Sequence, residues 1–91
     1  MASEKRRLDV QSVVRTIKEA FRPLECVVEL YDFDKRIRFG VFAPEEKLVL
    51  DVPEYLMRRA TDPDSLNNII TRSRKTVEKQ GYELEPWTIQ T

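Results

Sequence analysis

Residues 26–52 read CVVELYDFDKRIRFGVFAPEEKLVLDV, and the fold turns on how this run divides. Its middle is the clearest part. Within Arg36 to Ala43, Ile37, Phe39 and Val41 alternate with Arg36, Arg38 and Gly40, the period-two pattern of a strand with one dry and one wet face. Lys47 to Val52 repeats it, Leu48, Leu50 and Val52 alternating with Lys47, Val49 and Asp51. Upstream, Cys26, Val28 and Leu30 share one face while Val27, Glu29, Tyr31 and Phe33 share the other. The connectors Asp32 to Lys35 and Ala43 to Lys47 are short and carry Asp, Pro and Glu, which suits antiparallel hairpins. Parallel strands would need crossovers of about a dozen residues, for which there is no room.

The flanks read as helix. Asp9 is placed to cap a helix in which Val10, Val13, Val14, Ile17, Ala20 and Phe21 form one stripe and Ser12, Arg15, Thr16, Glu19 and Arg22 lie opposite. Pro23 forces the preceding residue out of the helical region and stops the run by Arg22. After Val52, Pro53 either opens a short helix over Glu54 to Arg59 or lets the chain continue extended. Thr61 is the expected N-cap of the last helix, with Pro63 in its first turn and Asp62 and Asp64 at the positive end of its dipole. Leu66, Ile69, Ile70 and Val77 make its apolar stripe, with Ser73 between, and Gly81 sits where a left-handed residue closes a helix. Residues 82–91 offer Tyr82, Leu84, Trp87 and Ile89 around Pro86, as an edge strand or as a cap on the core.

The expected fold is therefore α+β: a three- or four-stranded antiparallel meander with two helices on one face, in the order α-β-β-β-α with a C-terminal edge strand as an option. Residues 1–8 are expected to be a flexible polar arm carrying Lys5, Arg6 and Arg7, and 9–91 a single domain, a usual size for one. Lys plus Arg and Asp plus Glu both number 16, so the net charge is zero and no global pull toward nucleic acid or an acidic membrane follows. Cys26 is the single cysteine, which excludes a disulfide within the chain. No apolar run approaches the roughly 18 residues of a membrane span, and Met1 to Arg7 is not followed by the apolar segment of a signal peptide. A cytoplasmic protein with no membrane partner is the expectation.

Chemistry-bearing motifs are missing. The chain has no histidine, the commonest general base and metal ligand. With one cysteine and no histidine a zinc site is not expected, and neither Gly40 nor Gly81 belongs to a phosphate-binding loop. The pairs Asp32, Asp34 and Glu45, Glu46 fall in hairpin connectors, where turn formation and solvation account for them. No catalytic residue, metal, cofactor or small-molecule ligand is inferred, and the expectation is a protein that is not an enzyme.

The element order resembles that of the double-stranded-RNA-binding domain, two helices on a three-stranded sheet. In that family the start of the second helix presents lysines to phosphates, whereas Asp62 to Asn68 here is acidic, so the likeness stops at topology. The run Phe21-Arg22-Pro23-Leu24-Glu25-Cys26, the strand carrying Arg38 to Phe42, the Pro44 turn and the helix Leu66 to Val77 are similar to a family of short uncharacterised bacterial proteins seen mainly in pseudomonads. That resemblance spans about residues 10 to 80 and implies an α-β-β-β-α fold in a bacterial cytoplasm, with no activity attached.

Function then rests on the face of the sheet that the core does not need. With Cys26, Val28, Leu30, Ile37, Phe39, Val41, Leu48 and Leu50 turned to the core, the other face still carries Val27, Tyr31, Phe33, Phe42 and Val49 beside Glu29, Arg36, Arg38 and Lys47. Either the tail covers this face, or the apolar groups are ordinary scattered surface residues, or they meet a partner. The favoured reading is an interaction module, with self-association as an option, that uses Val27, Tyr31, Phe33, Arg36, Arg38 and Phe42. The alternative is nucleic-acid binding, with Tyr31, Phe33 and Phe42 stacking bases while Arg36 and Arg38 hold phosphates, or with Arg72, Lys75 and Lys79 tracking a backbone.

Overall fold

The computed structural model describes residues 7–89. Helix α1 (Val10–Ala20) begins where Asp9 accepts a hydrogen bond from the Ser12 amide, 2.7 Å away, and it buries Val13, Ile17 and Ala20. After the Pro23 corner come β1 (Glu25–Tyr31), β2 (Arg36–Ala43), a turn at Pro44–Glu46, and β3 (Lys47–Leu56). A single helical turn, α2 (Met57–Ala60), leads into the long helix α3 (Pro63–Lys79). The strands form one antiparallel sheet in the order β1-β2-β3, so the fold is α+β with the order α-β-β-β-α.

The helices lie on one side. Val13, Ile17 and Ala20 from α1, with Phe21 just after it, meet Leu66, Ile70 and Val77 from α3 over Cys26, Ile37, Phe39 and Val41 of the sheet, with Met57 and Ala60 of α2 in the same core. The Phe21 and Phe39 rings sit 5.9 Å apart, centroid to centroid, at the centre, a separation typical of favourable aromatic pairs. Central β2 supplies most of the sheet's contribution because only a middle strand has neighbours on both flanks and helices beneath it.

Several expectations need correction. Strand β3 runs past Val52 to Leu56, the extended option after Pro53, and the helical turn comes later than Glu54 to Arg59, at Met57–Ala60. The strand carries two bulges. Val41 pairs with Leu50 while Phe42 pairs with Leu48, which leaves Val49 as an extra residue, and Arg38 opposes both Pro53 and Glu54. A bulge flips the alternation for the residues beyond it. Leu48, expected in the core, is therefore 52% exposed, and Val49, expected on the outer face, is 7% exposed. Pro53 has no N–H to leave unpaired, so the second bulge is a natural place for it.

At α3, Asp62 and not Thr61 is the N-cap: its carboxylate accepts from the Ser65 amide and hydroxyl, with Pro63 in the first turn. Gly81 closes that helix at φ 98°, a left-handed conformation that disfavours any side chain. Arg7 and Leu8, assigned to the arm, are held to the α2 end, where the Leu8 amide donates to the Thr61 carbonyl (2.8 Å) and the Arg7 guanidinium to the Thr61 hydroxyl (2.8 Å). The rest of that arm, residues 1–6, lies outside the described residues.

The tail forms no strand through residue 89. It crosses the helix layer instead: the Glu85 amide donates to the Arg22 carbonyl (2.9 Å), and Pro86, Trp87 and Thr88 border Thr16, Glu19 and Arg22 at the α1 end. Tyr82, Leu84, Trp87 and Ile89 pack against the core from that side. Residues 82–89 do not cover the outer sheet face.

Candidate functional site

Strand pairing sets which side chains share the outer face. In successive rows the register places Tyr31, Arg36 and Leu56 together, then Glu29 and Arg38, then Val27, Gly40 and Asp51, then Glu25, Phe42 and Leu48. Five of the six expected contact residues, Val27, Tyr31, Arg36, Arg38 and Phe42, are thus brought onto one surface. Phe33 is not among them. It sits at the tip of the β1–β2 hairpin, 94% exposed, between Asp32 and Asp34, and all three residues have positive φ. Strand alternation ends at Tyr31, so the two-residue periodicity that placed Phe33 on the sheet no longer applies there.

Gly40 makes the centre of the face concave. A Cβ at that position would stand 3.3 Å from Leu48 Cδ1 and 3.5 Å from Phe42 Cε1, so these two side chains lean into the space it leaves. The result is an open hollow of about 320 Å³ walled by Val27, Phe42 and Leu48, with the Glu29–Arg38 pair on one side and Asp51 on another. Leu48 is misplaced by the sequence pattern because the bulge that turns it outward leaves no mark in the apolar run Leu48-Val49-Leu50, whereas Asp51 keeps the outer face that alternation gives it without having been singled out as a contact. Gly40 did carry a signal, since an isolated glycine inside a strand pattern often marks a close approach or a gap.

Electrostatically the face is self-satisfied. Arg38 forms an ion pair with Glu29, its directly opposite neighbour on β1, and Arg36 bridges Asp32 (3.3 Å) and Glu54. Exposed pairs of this kind stabilise by about 0.2–1 kcal/mol. Their larger effect is on function, because both guanidiniums on the face already have carboxylate partners, and Glu25 and Asp51 add further negative charge. The basic candidates Arg72, Lys75 and Lys79 are exposed on α3, in the layer behind the sheet, so they share no surface with Tyr31 and Phe42.

Cys26 is buried on the core side of β1, and loss of solvation there pushes its thiol up from 9.0 to about 12, slightly opposed by the charge of Lys18. Among the described residues no group of three or more His, Cys, Asp or Glu is placed to hold a metal ion, and no helix is long and apolar enough to cross a membrane. No family model matches the chain, and comparison with curated proteins and with solved structures gave no match.

Proposed function

We propose that this protein is a small non-enzymatic interaction module of the cytoplasm that docks another protein chain on the outer face of its sheet, a second copy being the first partner to test. The observation that carries this reading is the half-apolar hollow around Gly40, on the side that, among the described residues, neither helices nor tail cover. Val27 and Leu48 are 42% and 52% exposed there, and sealing such side chains from water contributes roughly 1 kcal/mol each at about 25 cal/mol per Å². Mixed charges around an apolar centre also follow the anatomy of protein–protein contacts, with a dry middle and a polar rim.

The test is sedimentation equilibrium of the wild type and of Leu48→Asp over a wide concentration range. Leu48 is exposed, so the substitution spares the core; association weakened in the variant, with an unchanged thermal melt, supports the reading. Association indifferent to Leu48→Asp removes this face from the contact. Nucleic-acid binding is the weaker reading because Arg36 and Arg38 are committed to Asp32, Glu54 and Glu29. Labelled DNA and RNA at low salt, where phosphate contacts are strongest, are expected to show no binding.

A further inference from the structure

The two edges of the sheet are built differently. Strand β3 has the features that discourage pairing with another chain: two bulges, Pro53 at one of them, the charges of Lys47, Asp51 and Glu54, and the Gln80 side-chain amide donating to the Val49 carbonyl at 2.7 Å. Strand β1 shares only the charges, as Glu25 and Glu29. Its seven residues, Glu25 to Tyr31, run in unbroken register with β2, without proline, lysine or bulge, and no strand among the described residues pairs with its other side. Val28 and Leu30, which face the core, stay only half-buried at this edge although α1 lies beneath β1.

We propose that β1 pairs antiparallel with β1 of a second copy, joining two sheets into one of six strands. The proposal is independent of docking on the outer face. A two-fold axis through an antiparallel pair fixes which registers exist, and charge selects among them. Centred on Val28, all seven residues overlap: Glu25 opposes Tyr31 of the second copy, Cys26 opposes Leu30, Val27 opposes Glu29, and Val28 meets its own counterpart. Centred on Val27, Glu25 would oppose Glu29; centred on Glu29, the two Glu29 side chains would face each other. Like charges directly opposite are destabilising, so only the Val28-centred register combines full overlap with no such pair. It also brings Cys26, Val28 and Leu30 of both copies together on the helix side, completing the burial that one chain leaves half-done. A contact of this extent falls at the small end of specific interfaces, so a reversible dimer at micromolar or weaker affinity is expected.

The register supplies its own test, because Val27 opposes Glu29 of the second copy twice in the dimer. Sedimentation equilibrium of Val27→Lys and Val27→Glu is expected to move the dimer dissociation constant in opposite directions, tighter for lysine and weaker for glutamate, by about fivefold each. Docking on the outer face predicts that both weaken association, since both remove an apolar group from the hollow, and that outcome overturns edge pairing. Amide exchange read residue by residue gives the second measurement: slowing within residues 25–31 between micromolar and millimolar protein, without a matching change in β3, supports the pairing. A single-chain mass at millimolar concentration, with β1 amides exchanging at one rate throughout, overturns it.

Discussion

At the scale of single residues, the most constrained chemistry belongs to Cys26. Burial disfavours the thiolate, so the group stays neutral at pH 7 and serves as a small apolar side chain, not as a nucleophile. The sign of the stability effect follows. Between 9.0 and about 12 the folded state keeps a proton that the unfolded state has lost, and stability falls with rising pH wherever the native state binds more protons. Urea denaturation from pH 8 upward is therefore expected to show a decline beginning near 9, with a slope approaching roughly 1.4 kcal/mol per pH unit from this group. Cys26→Ala should remove that component. If the variant and the wild type lose stability in parallel, the thiol is not what titrates. Native-state alkylation of Cys26 should likewise be slow and accelerate on unfolding. Phe33 is the opposite case, a large ring almost wholly in water on a left-handed backbone that bulky residues rarely adopt; nothing in the fold explains it.

Among the elements, the central strand and both long helices are legible in the sequence because their burial is periodic and one-sided: Ile37, Phe39 and Val41 at period two, and Leu66, Ile70, Ser73 and Val77 along one helical stripe. Strand β3 is where that legibility fails. Val49 and Leu48 exchange roles because a bulge inserts one residue into the alternation, and an all-apolar run fits either register equally well. Pro53 to Leu56 is similar, since a proline there suits the first turn of a helix as well as a bulged strand, and the bulge at Pro53 and Glu54 decides for the strand. The outer-face site was accordingly visible on β1 and β2 and, on β3, lost at Leu48. Gly40→Ala probes what that site gains from its glycine. The new Cβ would approach the end of a movable leucine side chain at 3.3 Å, and alanine in a strand interior recovers part of the roughly 0.5–1 kcal/mol that glycine costs. Thermal stability is expected to hold or rise slightly while the hollow fills and association through the face weakens. A marked drop in the melting temperature would show that Leu48 cannot yield.

The whole molecule is a two-layer slab whose helix side is tied together more than once while none of the described residues crosses the outer sheet face, and Arg74 is the clearest of those ties. From the middle of α3 its half-buried guanidinium donates to the Ala20 carbonyl, at the end of α1, and to the Glu85 carbonyl of the tail at 2.9 Å. The last carbonyls of a helix have no partner within it and sit at its negative end, so a cation there satisfies an acceptor and complements the dipole. One side chain thus ties α3, α1 and the tail together on the face away from the sheet. Arg74→Met keeps the apolar stem and removes both bonds, which should cost about 1.5–3 kcal/mol, the range for hydrogen bonds to charged groups. Arg74→Lys should recover only part of that, because an ammonium lacks the planar fork that reaches two carbonyls at once. Amide exchange and protease cleavage within residues 82–89 should rise in both variants, more in Met than in Lys. Association through the outer face should not change, since the tail lies on the helix side of the sheet. A tail that stays protected in Arg74→Met would mean that packing by Tyr82, Leu84, Trp87 and Ile89 holds it without the arginine.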